Sequence, residues 1–123
     1  YGATRLSFGK PLAEYAAWRH PVGAAQTELA ASRALTERTI NLIIAGEDAQ
    51  LAAAEAKIAA VEGAQRHVPQ MLHAMGAAGL RPEYCFTRHL AAAQIAGFTD
   101  GATSILRDRV ARLNHPRPDN PKR

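Results

Sequence analysis

Few side chains in this sequence are of types that carry covalent chemistry by themselves. Cys85 is the only cysteine, and a cysteine thiolate can act as a nucleophile. It stands between Tyr84 and Phe86, and unpaired cysteines are among the most often buried residues. The sequence therefore predicts that Cys85 packs rather than reacts. Since one cysteine cannot form an intramolecular disulfide, a reducing, cytoplasmic compartment is expected.

The five histidines do not form a metal-binding pattern. His67 and His73 are too far apart in sequence to act as ligands at i and i+4 of one helix, and no carboxylate completes a set. No metal site is predicted.

The charge pattern argues against nucleic acid and membrane as partners. The net charge is +4, and part of the excess lies in residues 115–123, which carry three prolines and are predicted to be a basic, disordered tail after a domain at 1–114. Elsewhere the cations are neither clustered nor interleaved with aromatics, so nucleic-acid binding ranks last among the functions considered. No apolar run approaches the roughly 20 residues of a membrane span.

A long helix, around which the rest of the chain is predicted to be organised, is expected at residues 48–79. Its apolar residues recur every three or four positions, which is typical of one helical face: Leu51, Ala54, Ile58, Val61, Val68, Leu72 and Met75. Asp48 is a candidate N-cap, and Gly79 is a stop signal. Gln65 interrupts the apolar face, and Pro69 is expected to kink the helix.

Three further helices are predicted around this one. They occupy residues 11–45, with a kink at Pro21, then 82–96 and 100–114, and residues 7–10 form a short connector before the first. The inward face of the helix at 11–45 is predicted to hold Leu12, Tyr15, Val22, Leu29, Thr36, Ile40 and Ile43. That of the helix at 82–96 is predicted to hold Phe86, Leu90 and Ala93, and that of the helix at 100–114 Ile105, Leu106, Val110 and Leu113. Alanine makes up about a fifth of the chain, which favours close-packed helices. The predicted fold is all-α, an antiparallel up-down four-helix bundle with two long and two shorter helices.

Three short motifs follow one another along the chain: Arg5-Leu-Ser-Phe8-Gly9-Lys-Pro11-Leu12, Ala56-Lys57, and Asp100-Gly101-Ala102-Thr103-Ser104-Ile105. In order and spacing they resemble the Arg-x-x-Phe-Gly-x-Pro-Leu, Ala-Lys and Glu-Gly-Thr-Ser-x-Ile motifs of the C-terminal helical domain of acyl-CoA dehydrogenases. The resemblance covers residues 1–113. It implies a truncated domain that lacks the first helix of the bundle and the family's two upstream domains.

The resemblance also implies a reaction, the FAD-dependent α,β-dehydrogenation of an acyl-CoA thioester. A carboxylate base is needed at the α-carbon, and at the family's glutamate position this chain has Asp100. Its reach is about 1.5 Å shorter, and errors of about 1 Å can cost 10²-fold in rate. Ala102 replaces a family threonine. The alternative for Asp100 is an ordinary helix N-cap.

Four positions match residues that contact FAD in the family. Arg5 and Phe8 match residues that reach the FAD held by a neighbouring subunit, and an arginine fork suits a pyrophosphate. The Gln-x-x-Gly-Gly motif appears as His73, Gly76 and Ala77, so a glutamine has become histidine and a second glycine has gained a side chain. The alternative for His73 is a solvent-facing helix residue.

Two functional hypotheses follow from the resemblance. In the first, the parent protein is a competent acyl-CoA dehydrogenase with Asp100 as base, and this piece alone is inactive and binds no FAD. In the second, the chain is a non-catalytic or half-site subunit paired with an unlike dehydrogenase subunit. A homo-oligomer with an interface of at least ~1,000 Å², formed mainly by the two long helices, is also expected.

Overall fold

Four α-helices make up most of the structure, a computed structural model that describes residues 1–115. They are α1 (Ala16–Ala45), α2 (Gln50–Met75), α3 (Phe86–Ala96) and α4 (Thr103–Asn114). Two short antiparallel strands, β1 (Leu6–Ser7) and β2 (Lys10–Pro11), precede α1. The predicted all-α bundle, with two long and two shorter helices, is confirmed. Apart from His115, the predicted tail lies outside the described residues.

The central helix is α2, which packs against each of the other three helices. Its buried residues are small: Ala52, Ala54, Ala56 and Val61. Because the distance between packed helices depends on the side chains at the contact, these alanines let the neighbouring helices lie close to α2. Ile58, in the middle of the predicted stripe, is half-buried. Within the described residues no large side chain is completely enclosed.

The three residues that interrupt the predicted helices are accommodated without ending them. Pro21 lies inside α1 and Pro69 inside α2, and both helices continue through the proline as predicted. Gln65 is half-buried, and its Nε2 donates a hydrogen bond to the backbone carbonyl of Ala93 at 3.0 Å. A polar side chain is stable at this position because it satisfies a carbonyl of α3.

Helix boundaries differ from the prediction by several residues. The first helix begins at Ala16 rather than residue 11, because Leu12–Glu14 form a 3₁₀ turn and Tyr15 is extended. The second runs from Gln50 to Met75 rather than from residue 48 to 79, and its N-cap is Ala49. The prediction of Asp48 as N-cap is therefore wrong, although the Asp48 carboxylate accepts a hydrogen bond from the amide of Gln50 at 2.9 Å. The third begins only after Cys85, which is half-buried in a left-handed conformation.

The predicted inward face of α1 is wrong in its second half. Leu29, Ile40 and Ile43 are about half exposed or more, whereas the small residues Ser32 and Thr39 are buried. The Thr39 hydroxyl donates to the carbonyl of Leu35 at 2.9 Å, so the helix itself satisfies this buried polar group. In α4 the predicted inward face is also partly wrong. Leu106 is buried as predicted, whereas Ile105 is exposed.

Candidate functional site

Phe8 lies at the tip of the β1–β2 hairpin, which replaces the predicted connector. Phe8 and Gly9 have φ of 47° and 84°, the left-handed geometry of a two-residue hairpin turn. Tyr15 holds the hairpin in place, since its hydroxyl donates to the carbonyl of Ser7 at 2.6 Å and its ring lies 4.3 Å from the Lys10 ammonium. The Phe8 side chain is 99% exposed. The hairpin thus presents the aromatic ring of Phe8 at the protein surface.

Arg5 precedes the hairpin, and its main chain is fixed by two hydrogen bonds. Its amide donates to the carbonyl of Tyr1, and its carbonyl accepts from the amide of Leu12, both at 2.9 Å. The side chain is exposed. Within residues 1–115 the guanidinium makes no ion pair. Its donors are available to an anion outside the chain.

His73 and Gly76 lie together at the C-terminal end of α2. His73 is an exposed residue of the last turn, and its carbonyl accepts from the amide of Gly76. Gly76 has φ 59° and ψ −148°, a conformation that side chains strongly disfavour. The Tyr1 hydroxyl donates to the adjacent Met75 carbonyl at 3.2 Å, and its ring packs edge-on against Tyr84. Through Tyr1, the segment that carries Arg5 is attached to this end of α2.

Gly76→Ala is expected to lower the free energy of unfolding by about 1–3 kcal/mol. The cost is backbone strain, because nothing lies within 4 Å of the added carbon. Gly23→Ala is the control. Gly23 lies inside α1 at negative φ with open space around it, so alanine there should stabilise by roughly 0.5–1 kcal/mol. Urea unfolding measures both, and equal effects at the two positions would contradict the strain argument.

Asp100 lies in the connection between α3 and α4, in a turn that α2 holds. Asp100 and Gly101 both have positive φ, 51° and 94°. The ammonium of Lys57, on α2, donates to the carbonyls of Thr99 and Gly101, the latter at 3.0 Å. The Asp100 carboxylate is exposed. The N-cap of α4 is Ala102, so the alternative of Asp100 as an ordinary N-cap is wrong.

The predicted base and the predicted cofactor-contacting residues do not meet within one chain. Lys57, beside the Asp100 turn, and Met75, beside Gly76, are separated by about 27 Å along α2 at 1.5 Å per residue. The sequence singled out Lys57 only as part of the Ala56-Lys57 motif. The available signal was its position three residues after Ala54 and four before Val61, which places a cation on the apolar face of the central helix.

A separate apolar groove of about 300 Å³ lies between α1, α2 and the start of α3. Its wall includes Leu29, Val68, Met71 and Phe86, together with His67, whose Nε2 is 2.8 Å from a carboxylate oxygen of Glu28. None of the predicted site residues lines it.

Between residues 1 and 115 no cluster of three potential metal ligands occurs. Over the same residues, every helix is too short or too polar to cross a bilayer.

Comparison with proteins of known structure identifies the class of domain. The bundle matches a chain from a structure of the electron transferring flavoprotein of Acidaminococcus fermentans with a TM-score of 0.90 at 23% identity, over 94% of this chain and 30% of that one. Butyryl-CoA dehydrogenase from Megasphaera elsdenii matches with a TM-score of 0.88 at 24% identity, over 93% and 30%. The fold is thus a helical bundle that forms part of larger proteins.

Sequence comparison identifies the family. Residues 1–113 match the acyl-CoA dehydrogenase, C-terminal domain family, and the chain belongs to it. Acyl-CoA dehydrogenase FadE12 of Mycobacterium tuberculosis is 31% identical over 116 residues. That alignment covers 93% of this chain and 30% of the relative, so the chain spans about a third of the curated protein's length.

Proposed function

We propose that this chain is the C-terminal helical domain of an FAD-dependent acyl-CoA dehydrogenase that introduces an α,β double bond into an acyl-CoA thioester in the cytoplasm. The observation that carries the proposal is the exposed carboxylate of Asp100, on a turn held from both sides, at the position of the family's base. Family membership over residues 1–113 supports it.

In this proposal Asp100 removes the α-proton of the thioester. A general base must lie within hydrogen-bond reach of that proton, and its efficiency is greatest when its pKa is close to the working pH. The carboxylate is exposed in this chain, so the protein surfaces that exclude water from it belong to other domains or chains. The chain by itself is therefore inactive.

The residues proposed to contact FAD fit such a group. Arg5 offers a guanidinium that forms no ion pair within residues 1–115 and is suited to a pyrophosphate, and Phe8 offers an exposed ring on a fixed turn. Gly76 has open space where a side chain would begin, so the cofactor can approach its backbone closely. His73, exposed beside it, can donate or accept a hydrogen bond. Bound FAD would accept the β-hydride.

The alternative is a non-catalytic or half-site subunit of a heteromeric acyl-CoA dehydrogenase. The changes at His73, Ala77 and Ala102, where residues of the family motifs are replaced, favour it. The separation of about 27 Å along α2 means that a site using both Asp100 and the Arg5 end draws them from different chains, which fits identical as well as unlike subunits. In this alternative the chain contributes Arg5 and Phe8 to the FAD site of an unlike subunit.

Association with another subunit is supported by exposed apolar side chains of α1. Ile43 and Ile44 are 63% and 79% exposed, and Leu29 and Ile40 are about half exposed. Burying such residues favours association, whether with a second copy of the chain or with an unlike dehydrogenase subunit.

Isolating the native complex tests the proposal. A tag placed on the chain in its own cells should recover a yellow complex whose flavin absorption is bleached by at least one acyl-CoA from a panel of chain lengths. The purified 123-residue chain should be colourless after desalting, because it lacks most of the cofactor surface. A recovered complex without flavin would overturn the proposal, and a yellow isolated chain would show that it binds FAD unaided. The mass and subunit composition of the recovered complex distinguish a homo-oligomer from an assembly with an unlike subunit.

A further inference from the structure

The ammonium of Lys57 joins α2 to the turn that carries Asp100. Lys57 is half-buried, and it donates to the carbonyl of the residue before Asp100 and to that of the residue after it. Hydrogen bonds from a charged donor are stronger than those between neutral groups. One side chain of the central helix thus holds the peptide group just before the aspartate and the one just after Gly101.

The turn needs such support because of its backbone conformation. Asp100 has φ 51°, which residues with side chains rarely adopt, and Gly101 follows at 94°. Strained conformations of this kind persist only when the surrounding structure holds them. The Asp100 side chain makes no hydrogen bond or ion pair with any residue in 1–115. Among the described residues, the backbone of the turn is therefore what limits where the carboxylate can lie.

Two further residues of α2 support the start of the same connection. Val61 and Gln65 follow Lys57 at intervals of four residues, so the three lie along one side of the helix. Gln65 donates to the carbonyl of Ala93, and a side-chain carbon at Gly97 would lie 2.7 Å from the Gln65 Nε2 and 3.8 Å from Val61. The connection is thus packed against α2 at one end and hydrogen-bonded to Lys57 at the other.

We infer that Lys57 is a positioning residue that aims the Asp100 carboxylate by holding the carbonyls on either side of it. It contacts the backbone of the turn and has no contact with the reacting atoms. The inference rests on the base role proposed for Asp100. It assigns to the lysine of the Ala56-Lys57 pair a task that is separate from helix packing.

Amide hydrogen exchange of the 123-residue chain tests the structural part. The reporter is the Thr103 amide, which donates to the carbonyl of Gly97 at 3.2 Å and closes the connection. Lys57→Met keeps the apolar stem and removes the donors, so exchange at Thr103 should accelerate at least tenfold more than exchange of α1 amides. Lys57→Arg should restore protection. Arg66→Met is the matched control, since it removes an α2 cation that pairs with Glu28 far from the turn.

Two exchange results would overturn the inference. One is unchanged protection of Thr103 in Lys57→Met. The other is a uniform acceleration across all helices, which would show that Lys57 contributes only to general stability.

Kinetics of the native complex test the functional part. Lys57→Met should lower kcat at least tenfold with little change in KM, because misplacement of the base affects the chemical step more than substrate binding. Lys57→Arg should recover most of the loss. If Lys57→Met is fully active while Asp100→Asn is inactive, the positioning role of Lys57 is overturned and the base role of Asp100 stands. Full activity in Asp100→Asn would overturn the base role itself.

Discussion

If Asp100 is the base, as proposed, Asp100→Asn is expected to lower kcat of the native complex by about 10²- to 10⁴-fold, the usual contribution of a positioned general base. The amide has nearly the same shape as the carboxylate but cannot accept the α-proton. The measurement is the rate at which acyl-CoA bleaches the flavin of the native complex. FAD content should be unchanged, since Asp100 is proposed to act on the thioester and not to hold the cofactor, and asparagine keeps the shape of its side chain.

Two variants sharpen this result. Asp108→Asn changes an exposed aspartate of α4, which pairs with Arg112 at 2.5 Å, and it should leave the bleaching rate unchanged. Asp100→Glu places the family's usual base at the position and should retain activity. An active Asp100→Asn complex would instead favour the half-site subunit. In that case Arg5→Ala should lower the FAD content of the partner's site.

Leu106→Ala is expected to lower the free energy of unfolding by about 2–5 kcal/mol, the range found when a buried leucine is truncated. Leu106 is the largest of the buried apolar residues, and it lies in the helix that packs on α2 beside the Asp100 turn. A side-chain carbon at Gly101 would be 3.3 Å from it. The loss is a large share of the roughly 5–15 kcal/mol that stabilises a typical domain.

Ile105→Ala is the matched control, since Ile105 is the preceding residue and is 62% exposed. Its effect should stay within about 0.5 kcal/mol, as for most surface substitutions. Thermal or urea unfolding of the two variants at the same protein concentration makes the comparison. Similar losses at both positions would mean that α4 is rotated from the orientation described, or that Ile105 is covered in solution.

The sequence predicted the number and order of the helices because its apolar residues recur with helical spacing over long stretches. It also predicted that the helices continue through Pro21, where the apolar face keeps its phase, and through Pro69, which lies within the second apolar face. Exact helix starts could not be predicted. A proline such as Pro11 is suited both to a first helical position and to the end of a strand, and here it pairs with Leu6 in the hairpin.

The buried face of α1 was harder to predict, because hydrophobicity and burial diverge there. The contact with α2 selects small residues, so Ser32 and Thr39 are buried while Ile43 and Ile44 are exposed. Thr39 can be buried because its hydroxyl bonds to the preceding turn of its own helix. The pattern of apolar residues in α1 therefore identified an exposed side of the helix rather than the face that packs on α2.

For the candidate site, the sequence provided residue identities but not their arrangement. The resemblance singled out Asp100 and the pair Arg5 and Phe8, and spacing alone could not show that they lie toward different ends of α2. The left-handed turn at Asp100 and its attachment to Lys57 depend on contacts between residues more than 40 positions apart. Such contacts leave no periodic signal in a single sequence.

The packing of α1 against α2 has a consequence for the order in which the chain folds. These two helices are consecutive, with only residues 46–49 between them, so they can pair as soon as both have formed. Local contacts of this kind carry little loop-closure entropy and form early in folding. The turn at Asp100 depends on both α3 and α4 reaching α2, and on Lys57 finding its two carbonyls. We therefore expect the part of the chain that carries the candidate base to become ordered last and to open first.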